Sequence, residues 1–78
     1  MLEERKSIVD KEFVFTRQNF EHVVDLINRL SGISLSERKT DMVYSRLARR
    51  IRKLNAGDFD NYLEIVESNE EEKVNFIN

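Results

Sequence analysis

Apolar residues recur along this chain with helical spacing. Phe20, Val23, Val24, Ile27 and Leu30 follow an i, i+3, i+4, i+7 pattern. Thr16 precedes them as an N-cap, and Ser31-Gly32 closes the segment, with Gly32 free to take the left-handed C′ conformation. "ISLS" is then a short connection whose Ile33 and Leu35 are expected to reach the core. Ser36 caps a second helix over residues 37–54, with Val43, Leu47, Ile51 and Leu54 as its buried stripe and Tyr44 and Ala48 at one border. Asn55-Ala56-Gly57 ends it. Asp58 opens a third helix with Phe59, Tyr62, Leu63 and Val66 on one face. Ser68 or Asn69 caps a fourth, with Glu70, Glu71 and Glu72 in its first turn, where the helix dipole favours anions, and Val74 and Ile77 expected inside. The pattern predicts an all-α fold, a compact bundle of about four helices over residues 13–78. Residues 1–12, with Leu2, Ile8 and Val9, read as an arm or a short helix.

The polar positions of the second helix change this picture. Five cations, Arg46, Arg49, Arg50, Arg52 and Lys53, fall within residues 46–53. With Leu47 at the centre of the apolar face, Val43, Ile51 and Leu54 lie within about 40° of it. Arg50, Lys39, Arg46, Lys53, Arg49 and Arg38 spread over one flank, and Arg52 falls about 40° beyond them. Arg46 and Arg50 are one turn apart and outside the stripe, so both read as surface cations. Residues 38–53 carry +6 and the remaining chain carries −8, which together give the net −2. A cationic ridge on an acidic body suits a locally acidic partner better than nucleic acid, for which a basic charge throughout is usual. Arginine outnumbers lysine five to two in the ridge, and its planar fork suits carboxylates and phosphates. A solvated helix face is the plain alternative.

Other chemistry is sparse. His22 is the only histidine and there is no cysteine, so neither a metal set nor a disulfide framework is expected. Glu67, Glu70, Glu71 and Glu72 lack the turn glycine and alternating ligands of a calcium loop. The two glycines stand at helix ends, so no phosphate-cradling loop is expected, and the serines and threonines read as caps. "MLEERKSIVDKEF" has no apolar run, and no window approaches a membrane span; a cytoplasmic monomer without membrane insertion is expected. Nothing here resembles a catalytic site.

"GISLSERKTDMVYSRLARRIRKL", with "FDNYL" and then "FIN", resembles the N-terminal domain of the chemotaxis receptor methyltransferases, the CheR family, from about Phe15 to Asn78. The resemblance implies an all-helical domain preceding an α/β domain that holds S-adenosylmethionine. The whole enzyme would transfer methyl groups to glutamate side chains of chemoreceptors. It also implies that the basic second helix, here Arg46, Arg49, Arg50, Arg52 and Lys53 with Arg38 and Lys39 at its near end, recognises the receptor's methylation helices. The cofactor domain is expected after "FIN", so no cofactor binding and no methyl transfer are expected of these residues alone. That cofactor domain would itself be a partner of this one. A small nucleic-acid-binding domain, or a structural module whose ridge docks on its own cofactor domain, are the alternatives.

Overall fold

The computed structural model describes residues 12–78. The expected arm or short helix with Leu2, Ile8 and Val9 lies outside the described residues. Four α-helices follow: α1 (Arg17–Ser31), α2 (Thr40–Leu54), α3 (Phe59–Ser68) and α4 (Glu70–Ile77), with one 3₁₀ turn, Glu37–Lys39, leading into α2. There is no strand among the described residues.

Helices α1, α3 and α4 each start at a side-chain cap, whereas α2 does not: its N-cap Lys39 makes no side-chain capping bond. The second helix expected over 37–54 opens as a 3₁₀ turn capped by Ser36 and is α-helical only from Thr40. The Thr16 hydroxyl accepts from the Asn19 backbone N–H, and the Asn19 side-chain Oδ1 accepts in return from the Thr16 N–H, a reciprocal capping box. Asn19 also donates to Asp60 at 2.7 Å, joining the start of α1 to the start of α3. Ser36 accepts from the Arg38 N–H, Asp58 from Asn61 and Asn69 from Glu72, so these donors are satisfied before the helices begin.

The ends are equally specific. Gly32, at φ 78°, stops α1 with its N–H on the Asn28 carbonyl. Asn55, at φ 56°, stops α2: its N–H meets Arg52 O, and the Ala56 N–H meets Ile51 O at 2.9 Å. These two bonds make a Schellman motif, and Ala56 and Ile51, the residues that such a motif brings near each other, are both buried.

The core gathers Phe20, Val23 and Leu26 of α1, Val43, Tyr44, Leu47, Ala48 and Ile51 of α2, Phe59, Tyr62, Leu63 and Val66 of α3, and Phe76 of α4. Phe15 enters ahead of α1 and stacks on Phe59 with ring centroids 4.4 Å apart, beside Tyr44 and Phe20. The Tyr44 hydroxyl accepts from the Phe13 N–H at 2.9 Å, fixing the incoming chain.

Four further expectations are corrected. Leu26, absent from the expected stripe of α1, is fully buried, because α1 turns its Val23–Leu26 side toward α3 and α4. In α2 the core face is rotated toward Tyr44 and Ala48, both buried, and Leu54 is exposed in the last turn. Ile33 is 56% exposed, and only Leu35 of that pair packs on the core. In α4, Val74 and Ile77 are exposed, and Glu72 and Phe76, one turn apart, face inward instead. The reason for the last lies in what Glu72 touches.

Candidate functional site

Arg38 and Lys39 sit in the 3₁₀ turn, which Ser36 caps and which Thr40 closes through its hydroxyl on the Glu37 carbonyl. Both side chains are exposed. The turn runs directly into α2, so the two cations stand at the near end of the line of cations on that helix.

The five cations of α2 divide into three groups. Arg46, Arg49 and Lys53 line a groove between α2 and α4 together with Arg50, Asn75 and Phe76. Their spacing of three and four residues stacks them on one side of the helix. Arg46 also donates to the backbone carbonyl of Asn78. Arg52 points elsewhere and pairs with Glu12, away from this groove. This matches its separate place on the helical projection.

Arg50 departs most from the expected surface cation. Its Nε and Nη2 donate to the two Glu72 oxygens at 2.9 and 2.8 Å, a bidentate pair. Glu72 is only 4% exposed, and it accepts further from the Tyr62 hydroxyl at 2.7 Å and from Asn75 at 3.4 Å. α2, α3 and α4 therefore meet at one carboxylate. Glu72 is one of the three first-turn acids of α4, but it serves as a tie across the bundle, and it sets which face of α4 looks inward.

Burial alone would push the Glu72 carboxyl up; the hydrogen bonds from Arg50, Tyr62 and Asn75 outweigh it and hold the group below the ordinary carboxylate value. The same hydrogen bond keeps Arg50 more firmly protonated than usual. For Tyr62, burial and then the bond to Glu72 push the phenol up, so it stays protonated and donates. A carboxyl with a depressed folded-state pKa contributes stability that is complete above its ordinary value of 4.5 and is lost as pH falls through the folded-state pKa. We therefore expect the urea midpoint of the wild-type protein to fall more steeply between about pH 5 and about pH 3 than that of Glu72→Gln. Parallel acid limbs for the two proteins would show that Glu72 carries no such linkage.

Among the described residues, Arg38, Lys39, Arg46, Arg49 and Lys53 have no carboxylate partner, whereas Arg50 and Arg52 have one each. The part of the ridge not paired with a carboxylate is thus five cations, of which Arg46 is hydrogen-bonded to the Asn78 carbonyl. Elsewhere several charges are paired. Glu67 accepts from His22 at 2.9 Å and pairs with Arg29, which lowers its pKa, and Arg17 pairs with Glu37. His22 is accordingly a partner of Glu67 at the surface.

A second groove adjoins the first across Arg46. It is apolar, with a free volume of about 150 Å³, and is lined by Ile27, Ile33, Leu35, Met42, Phe76 and Ile77. The sequence did not reveal it, because Ile33 and Ile77 were expected inside the core. Among the described residues, no helix is long and apolar enough to cross a membrane.

The described residues thus form a four-helix all-α unit with a cationic flank on α2. Residues 18–78 match the family model described as the CheR methyltransferase, all-alpha domain, and the chain belongs to that family. It is 42% identical over 69 residues to "Chemotaxis protein methyltransferase 2" of Pseudomonas aeruginosa, covering 88% of this chain and 25% of that protein. It is 46% identical over 52 residues to the "Chemotaxis protein methyltransferase" of Escherichia coli, covering 67% of this chain and 18% of that protein. The Salmonella typhimurium protein of the same name is 44% identical over 52 residues. The chain spans a quarter or less of the length of these relatives. No solved structure matches it.

Proposed function

We propose that this chain is the substrate-recognition domain of an S-adenosylmethionine-dependent protein-glutamate O-methyltransferase of bacterial chemotaxis. Its ridge docks on the glutamate-rich cytoplasmic helices of chemoreceptors. The observation that carries the reading is the line Arg46–Arg49–Lys53 beside α4, with Arg38 and Lys39 at its near end, none of them neutralised by a carboxylate among the described residues. Arg50 belongs to the scaffold that holds this line, through Glu72.

In this reading the cofactor and the chemistry of methyl transfer belong to residues outside the described domain. The groove beside α2, walled by Arg46, Arg49 and Lys53, suits an anion better than a sulfonium cation. The domain contributes alignment: exposed arginines attract ionised glutamates and hold the helix that carries them. Esterification removes the negative charge, so the modified segment is held less tightly and leaves.

The test uses this chain and two helical peptides, one glutamate-rich and one with glutamine at the same positions, with random duplex DNA as a third ligand. We expect only the glutamate peptide to bind, with an affinity that falls as salt rises because exposed ion pairs are screened. Equal binding of the glutamine peptide would refute the reading, and tighter binding of duplex DNA would replace it with a nucleic-acid one.

A further inference from the structure

The apolar groove between α1, α2 and the end of α4 has no role in the reading above. Its rim holds Ile33, which is 56% exposed, Met42, which is 45% exposed, and Ile77. These exposed apolar side chains gather at one concave, open place, where a partner's apolar group could be covered. Its volume of about 150 Å³ is the size of a cavity that holds one benzene-sized group. It therefore accommodates a single side chain.

Arg46 decides what kind of partner that side chain belongs to. It lines the apolar groove and also the cationic groove, so the two surfaces are continuous. Met42, Arg46, Arg49 and Lys53 advance along α2 at positions 0, 4, 7 and 11, a span of about 16 Å at 1.5 Å per residue. A partner helix lying along α2 over about three turns would meet an apolar pocket first and cations after it. A purely acidic helix would leave the pocket empty, and a purely apolar one would leave the cations desolvated and unpaired, which is costly.

We infer that the groove is an anchor pocket for one large apolar residue of the same acidic helix that docks on the ridge, a leucine, methionine or phenylalanine, one helical turn from the first of its glutamates. The inference rests on the reading of the ridge and adds a specificity element to it. Charge draws in any glutamate-rich helix, and the pocket selects the register in which the helix settles. It also distinguishes partners, because an acidic helix without the anchor binds more weakly wherever its charges match.

The experiment compares two glutamate-rich helical peptides against this chain. Anchor and control peptides differ only in a leucine replaced by serine one turn from the first glutamate. We expect the leucine peptide to bind about ten-fold tighter, the effect of burying one apolar side chain. Ile33→Ser with Met42→Ser should bring the leucine peptide down to the affinity of the serine peptide and leave the serine peptide unchanged. Ile33→Ser alone, in the connection outside the helices, gives part of the effect and guards against a folding defect in the double variant. Equal affinities of the two peptides for the wild-type chain would overturn the anchor and leave the ridge reading standing. If Arg46→Glu with Arg49→Glu changes the affinity of neither peptide, the ridge reading fails instead. Concentration-dependent dimerisation of the wild-type chain that the Ile33→Ser, Met42→Ser variant abolishes would show that a second copy occupies the groove and would overturn the anchor.

Discussion

Arg50→Ala is expected to destabilise this domain by about 3 kcal/mol, the low end of the cost of removing one partner from a buried ion pair. The Arg50 side chain is three-quarters covered and Glu72 almost completely so, so solvent screens the pair little. Without Arg50, the Glu72 carboxylate keeps only Tyr62 and Asn75 as side-chain donors and must remain charged in a buried place or take up a proton. A domain of 78 residues has a total stability of roughly 4–12 kcal/mol. The loss is thus a large share of it, and should lower the melting temperature by roughly 12–24 °C. Arg49→Ala, three-dimensionally adjacent but without a carboxylate partner, should cost no more than about 0.5 kcal/mol. Arg50→Met with Glu72→Leu and Tyr62→Phe removes all three polar groups together, and should recover most of the loss because no charge is left stranded. Urea titrations of these variants decide the matter: equal midpoints for Arg50→Ala and Arg49→Ala would mean that the tie contributes nothing.

Charge reversal on the free ridge should have the opposite profile. Arg46→Glu with Arg49→Glu, made in a full-length enzyme that contains this domain, is expected to leave folding within about 0.5 kcal/mol of wild type per site. Both side chains are exposed and neither holds a buried acid. Against an acidic helix, each substitution turns an attraction into a like-charge contact, and the pair should cost several kcal/mol of binding. Receptor methylation measured as kcat/KM should fall by at least about 100-fold at low salt, through KM more than kcat. The gap between variant and wild type should narrow as salt rises. Cofactor affinity should not change. Wild-type methylation by the double variant at low salt would mean that the ridge is a solvated face.

These two variants differ in kind although both alter cations that look equivalent in the sequence. A helical projection gives the flank on which a side chain leaves its own helix. It does not give what stands opposite. Arg49 and Arg50 both border α4, but only Arg50 reaches the Glu72 carboxylate. The same limit explains α4. With eight residues, three glutamates at its start and apolar positions at 74, 76 and 77, its pattern admits more than one inward face. Glu72 reads locally as a dipole-compensating acid, and only the tertiary tie to Arg50 and Tyr62 turns it, and Phe76 one turn later, toward the core. Where the signal is local, the sequence is sufficient. Thr16, Ser36, Asp58 and Asn69 cap as their types and positions indicate, and Gly32 takes the left-handed turn. The long second helix, its cationic flank and the separate placing of Arg52 were legible for the same reason. The apolar groove was not, because exposed and buried apolar residues look alike until the neighbours are in place.

The tie between Arg50 and Glu72 also bears on where such a domain can be cut. A chain ending at Ser68 would retain α1, α2 and α3 but lose Glu72 and Phe76. Arg50 would then join the five cations of the ridge that have no carboxylate partner, and the core surface under Phe76 would open to water. Such a shortened domain would present a denser positive charge on a less stable frame. It would tend to bind acidic surfaces indiscriminately, because the apolar groove, which needs Phe76 and Ile77 as a wall, would be gone with them.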